Sequence, residues 1–256
     1  MAGLLEGKAG IVTGAAGGIG RGIAVELARE GALVLVSDLA NEEGRADETV
    51  ALCEEAGGEA AWQACDVTSA EAQDAPVANV VKTHGRLDFA VNNAGVAVHK
   101  PLTEVTDQEY SRVLDINLKG IFLGMRSQVR QMAGQGGGSI VNMASVAGLT
   151  GVRDIGVYTA SKHGIVGLTK NTAMEYGEQG VRVNCVCPNA IRTPLMDTSP
   201  PDFVEALIAP QAIKRPGEPE EVGAPVAFLL SDKAWRSCAS TRRPATRHRS
   251  CPPSTR

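Results

Sequence analysis

Short apolar runs rich in β-branched residues alternate along this chain with amphipathic stretches long enough for helices, and few folds accept that rhythm. Ala9-Gly10-Ile11-Val12-Thr13 is one such run, and Ala32-Leu33-Val34-Leu35-Val36 is the next. Between them, Gly20–Glu30 sets Ile23, Val25, Leu27 and Ala28 among Arg21, Glu26, Arg29 and Glu30, as a helix does. Strand, helix and strand in so short a span predict a βαβ unit. Further runs at Ala60–Ala64, Leu87–Val91, Ser139–Met143 and Val181–Val186 are separated by the helix-length stretches Ala70–Thr83, Asp107–Met132 and Ser161–Tyr176. Together they predict an α/β fold, a doubly wound parallel sheet with helices on both faces. No internal repeat and no Pro/Ser linker precedes residue 233, so residues 1–233 read as one domain. Proline-rich stretches at Pro188–Pro201 and Pro210–Pro219 break the rhythm and predict a mobile helical insertion between them.

Charge divides the chain unevenly. Residues 1–233 hold 19 Lys+Arg against all 29 Asp+Glu, a net −10, whereas residues 234–256 hold six arginines and no acid, a net +6. An acidic body with 4% aromatic residues is poorly supplied for phosphate neutralisation and base stacking, which excludes nucleic acid as its partner. The amino-terminal residues lack a basic region followed by a long apolar stretch, and no run approaches the ~18 apolar residues of a membrane span. A cytoplasmic protein without membrane attachment is the expectation. Six scattered cysteines suit a reducing compartment and form no zinc spacing, so no metal site is expected; Cys185 and Cys187 read as buried fillers on one strand face. His84, His99 and His163 have no motif partners and read as surface or satisfied helix residues.

The turn between the first strand and first helix is Thr13-Gly14-Ala15-Ala16-Gly17-Gly18-Ile19-Gly20. Glycines there let the backbone turn tightly and approach a pyrophosphate, which the open N–H groups and positive end of the following helix would meet. Eighteen residues past Gly20, Asp38 ends the second strand. A carboxylate there accepts hydrogen bonds from adenosine ribose hydroxyls and repels a 2′-phosphate, which favours NAD over NADP. An ordinary tight turn and a solvated turn aspartate are the bland alternatives, weakened by the position of both between strand and helix.

Tyr158-Thr159-Ala160-Ser161-Lys162 opens a predicted helix and puts Tyr158 and Lys162 at i and i+4 on one face. An ammonium beside the phenol is expected to move its pKa down toward neutrality. Thirteen residues upstream, Ser145 follows the strand Ser139–Met143 and so falls at the carboxyl end of the sheet, where doubly wound folds bind ligands.

These motifs in this order resemble the short-chain dehydrogenase/reductase family over roughly residues 5–233. The resemblance implies a Rossmann-like fold and specific roles. Gly14, Gly18, Ile19 and Gly20 look like its cofactor loop, Asp66-Val67 like its adenine-contacting pair, and Asn92-Asn93-Ala94-Gly95 like its fourth-strand motif. In that motif the backbone of Asn93, Ala94 and Gly95 would lie near the cofactor ribose, while the Asn92 and Asn93 side chains hold strands together. Asn117, Ser145, Tyr158 and Lys162 stand where the family carries its catalytic residues. By resemblance Tyr158 is the general acid/base, Ser145 steadies the substrate oxygen, and Lys162 depresses the tyrosine pKa and binds the nicotinamide ribose. Asn117 would kink its helix and hold a water. Ile191 and Thr193, in Pro188-Asn189-Ala190-Ile191-Arg192-Thr193-Pro194, would hold the nicotinamide carboxamide. The implied reaction interconverts a secondary alcohol and a ketone, with a pocket drawn from Val96–His99, Val146–Ile155 (Arg153 and Asp154 included) and Leu195–Ile213. A homo-oligomer is also implied, a dimer through helices around 102–132 and 158–176. A cofactor-free halohydrin lyase on the same fold is disfavoured by Lys162 and Gly18.

Two departures stand out. Asn189 replaces the glycine that usually follows the proline, and residues 234–256 replace the family's threonine-glycine turn and last strand with an Arg-, Pro- and Ser-rich stretch. No window there alternates apolar with polar, so it reads as a disordered tail left by a shifted reading frame, with an evolved basic tail as the competitor. A missing last strand would put the family's usual tetramer in doubt and could leave a dinucleotide-binding protein impaired in catalysis.

Overall fold

A computed structural model describes residues 2–234, so the expectations for the tail and last strand lie outside the described residues. The strands are β1 (Ala9–Thr13), β2 (Leu33–Asp38), β3 (Glu59–Ala64), β4 (Phe89–Asn92), β5 (Gly138–Met143) and β6 (Val181–Val186). Between and after them run α1 (Gly18–Arg29), α2 (Glu43–Glu55), α3 (Ala70–His84), α4 (Asp107–Leu114), α5 (Gly120–Gly134), α6 (Gly156–Tyr176), α7 (Pro194–Asp197), α8 (Pro201–Ile208) and α9 (Pro219–Leu230). All six strands pair in parallel in the order β3-β2-β1-β4-β5-β6, with Val12 opposite Val36 on one side and Val91 on the other. The order reverses between β1 and β4, and a cleft opens beyond their carboxyl ends.

Strand alternation divides the core into two. Val12, Val34, Val36, Phe89, Val91 and Val141 face α1, α2 and α9 through Ile23, Leu27, Cys53 and Val226. Their neighbours Ile11, Leu35, Ala90 and Ile140 face α3, α5 and α6 through Val77, Ile121, Val129 and Ile165. Burial on both faces is why the strands read as continuous apolar runs. Each fully buried Leu, Ile or Phe contributes about 1.5–3 kcal/mol.

Three local features depart from the expected pattern. The stretch Asp107–Met132 is two helices joined by a π-helical turn, Asp115–Lys119. The helix α2 lies where no element was expected; it buries only Ala46, Thr49 and Cys53, too thin a stripe to read as periodic. Cys185 and Cys187 are half-buried rather than buried, and all four cysteines among the described residues are free. No helix among the described residues is long and apolar enough to cross a membrane.

Candidate active site

The loop from β1 into α1 forms one end of the site. Gly14 has φ 65° and Gly18 φ 54°, conformations that side chains rarely adopt. The α1 N-cap, Gly17, is extended and has no side-chain cap, so the N–H groups of the first turn remain available to an anion. Asp38 borders this loop: its Oδ2 accepts from the Ala16 N–H at 3.0 Å and its Oδ1 from the Leu39 N–H at 2.9 Å.

The β4 end forms the floor. The Asn93 side chain donates to the Thr13 and Gly14 carbonyls, both at 3.0 Å, and Asn92 donates to Gln128 and Asn142. Both asparagines therefore bind strands and loops together, as expected, and leave the Asn93–Gly95 backbone facing the cleft.

At the other end, Lys162 is 3% exposed and its Nζ donates to the Met143 carbonyl at 2.8 Å. That ammonium lies 5.4 Å from the Tyr158 ring centroid. Burial lowers the Lys162 pKa to about 8. Burial also raises that of Tyr158, against a hydrogen bond with Ser145 that lowers it. The expected downward shift of the tyrosine is thus corrected: desolvation outweighs everything else acting on the phenol. Asn117, inside the π-helical turn, accepts from the Val96 N–H at 2.8 Å and donates to the Val96 carbonyl and Ser161 Oγ. The kink expected at this residue is that π-turn.

These parts enclose two adjoining spaces. A cleft of about 760 Å³ is lined by Gly14, Gly18, Ile19, Asp38, Asp66, Val67, Asn93, Ala94, Gly95, Ser145, Tyr158, Lys162 and Thr193. A cavity of about 330 Å³ continues from it, and Ile19, Ser145, Tyr158, Asn189 and Thr193 line both. Three expected contacts fall elsewhere. Gly20 is buried behind the loop against Gly14 and Asn93, Ile191 lines only the smaller cavity, and Asn117 acts through Val96 and Ser161. Arg153 and Asp154 do not line the cavity either; Asp154 has φ 60° and Arg153 points to solvent.

The sequence also missed one residue. Arg45, ion-paired with Glu42 at 2.8 Å, lines the cleft near Gly17. His99 ends the range Val96–His99 expected to line the pocket, although singly it read as a surface or satisfied helix residue; it sits in the small cavity with its ring edge-on to Phe203, centroids 4.0 Å apart. No local pattern announces Arg45, because its place depends on elements brought in from elsewhere in the chain.

The glycine cradle, the open helix start and the carboxylate at the end of β2 fit a dinucleotide. The family model described as enoyl-(acyl carrier protein) reductase matches residues 14–237. Among similar proteins, the cyclohexanol dehydrogenase of Acinetobacter sp. (strain SE19) is 42% identical over 91% of this chain and 92% of its own. The levodione reductase of Leifsonia aquatica is 39% identical over 88% of this chain and 87% of its own. A crystal structure of levodione reductase superposes with a TM-score of 0.87 at 36% identity, over 92% of this chain and 95% of that one. These are oxidoreductases, and over this coverage the chain belongs to the short-chain dehydrogenase/reductase family.

Proposed function

We propose that the protein is an NAD-dependent oxidoreductase interconverting a secondary alcohol and a ketone. The observation that carries this reading is that Ser145 and Tyr158 line both the cleft and the cavity, where a cofactor and a small substrate would meet. A bound nicotinamide dinucleotide supplies the hydride acceptor or donor. Gly14, Gly18, Ile19 and the start of α1 would bind its phosphates, with Gly20 packed behind that loop; Asp66, Val67, Asn93, Ala94 and Gly95 border its adenosine and ribose; Thr193, which lines both spaces, would hold the carboxamide.

Tyr158 passes the proton to or from the substrate oxygen, and Ser145 hydrogen-bonds the same oxygen as its charge develops. Lys162 holds ribose hydroxyls and offers a positive charge below the Tyr158 ring. Asn117, its side chain committed to Val96 and Ser161, has its main chain to offer a water that links Lys162 to solvent. A compact apolar cavity and the similarity to a cyclohexanol dehydrogenase both favour small, ring-sized substrates.

Asp38 supports NAD, because its charge opposes a 2′-phosphate at the end of β2. Following nicotinamide absorbance with a panel of cyclic alcohols tests this. We expect turnover with NAD, a loss of roughly 10²–10⁴-fold in Tyr158→Phe, and improved use of NADP in Asp38→Ser. Preference of the wild type for NADP would overturn the cofactor assignment, and full activity of Tyr158→Phe the mechanism. NADH binding without turnover of any alcohol or ketone would favour a binding protein instead.

A further inference from the structure

Two polar atoms in the smaller cavity have no use in the reading above. His99 Nε2 and Asn189 Oδ1 are both buried and have no hydrogen-bond partner among the described residues. Buried polar atoms are nearly always satisfied, so two orphans in one cavity call for a partner that binds there. The remaining wall is mostly aliphatic and aromatic, including Val146, Val152, Ile155 and Val204.

Their surroundings define what that partner must bring. Asn189 Nδ2 faces the Leu207 carbonyl at 3.5 Å, and turning the amide over would set Oδ1 against that carbonyl, so Oδ1 is an acceptor in need of a proton donor. The His99 ring is held at 85° to Phe203. Phe203 and Leu207 stand four residues apart on α8, about 6 Å along its axis, so both orphans line one cavity beneath the same helix. The glycine usual at position 189 in the family has no side chain; asparagine adds an acceptor at the junction of cleft and cavity. A hydroxyl is the oxygen group that can donate its one proton to Asn189 Oδ1 and at the same time accept from a protonated His99 Nε2.

Resting on the dehydrogenase reading, we propose that His99 and Asn189 select a compact secondary alcohol bearing a second hydroxyl, so that the substrate is a diol and its product a hydroxyketone. Oxidation would move a hydride from the carbinol carbon to the bound nicotinamide and the proton of that carbon's hydroxyl to Tyr158 Oη, as the phenol's own proton passes on to solvent along the Lys162 side. The C–O single bond becomes a carbonyl and the second hydroxyl is unchanged.

The test compares kcat/KM for cyclohexanol with that for cyclohexane-1,2-, 1,3- and 1,4-diol, in wild type, His99→Phe, His99→Gln and Asn189→Gly. NADH dissociation constants are measured alongside by fluorescence titration. We expect the wild type to favour at least one diol by about tenfold, the effect of one hydrogen bond made in a water-poor pocket. That preference should collapse through KM in His99→Phe and Asn189→Gly, and survive in part in His99→Gln. Equal efficiency with mono-alcohol and diols, or a preference that persists in both truncated variants, overturns the inference. So does an Asn189→Gly variant altered only in NADH affinity, which would assign the orphan oxygen to the cofactor. Failure to bind NADH or oxidise any alcohol sinks the dehydrogenase reading itself, whereas turnover without diol preference sinks the diol inference alone.

Discussion

Lys162 carries its ammonium into a nearly solvent-free position, with the Met143 carbonyl as its hydrogen-bond acceptor. Its pKa of about 8 lies below the ordinary 10.5 because burial penalises the charge. Between these two values the unfolded chain holds a proton that the folded protein has released, so stability rises with pH across the window. Below pH 8 the full cost of the buried charge is present. Relative to Lys162→Met, the wild type should gain up to about 3 kcal/mol from pH 7 to pH 10.5, read from urea unfolding at each pH. A difference that does not change with pH would mean that Lys162 titrates normally. The i, i+4 spacing of Tyr158 and Lys162 was legible in the sequence, but the direction of the tyrosine shift was not. Spacing reports which groups are neighbours, whereas desolvation depends on what the rest of the chain folds over them. His99 fell inside a range read as pocket lining, but its ring's setting was opaque for the same reason: Phe203, 104 positions away, packs against it.

Arg182, on β6, fastens α9 to the sheet. Its guanidinium donates to the carbonyls of Leu229 at 2.6 Å, Ser231 at 3.0 Å, Ala234 at 3.1 Å and Leu230 at 3.2 Å. Leu229, Leu230 and Ser231 are at the end of α9, the negative end of its dipole, and Ala234 lies in the turn that follows, so one fork of donors satisfies several acceptors at once. Arg182→Ala should cost about 2–3 kcal/mol in urea unfolding, and Arg182→Lys should recover only part, because an ammonium lacks the planar fork. Equal stability of both variants and the wild type would show that water replaces the arginine. Elements were unequally readable in advance. The six strands stood out because parallel strands are buried on both faces, and β6 fell at its expected bounds. The π-helical turn at Asp115–Lys119 left no break in apolar spacing; only the family position of Asn117 pointed to a kink there.

Four of the nine exposed large apolar side chains among the described residues lie on the segments expected to pair two copies. Leu102 is 76% exposed, Tyr110 50% and Phe122 45%, all between residues 102 and 132, and Met174 on α6 is 47% exposed. Analytical ultracentrifugation should therefore find a dimer, and Phe122→Glu should shift it toward monomer by placing a charge in the contact. A monomeric wild type, or a stable tetramer, would overturn that arrangement. Fold class and cleft position were readable at this scale because both follow from strand order, whereas the shape of the small cavity depends on how α8 returns over the sheet. The parallel sheet has one more consequence. Since every strand runs the same way, loops at the carboxyl edge line the cleft, while the turns at Gly57, Gly85 and Gly180 gather at the opposite edge. Immobilising the enzyme on a resin or electrode through Lys82 or Thr83, exposed beside Gly85, would leave the cleft facing the liquid and oriented alike on every molecule.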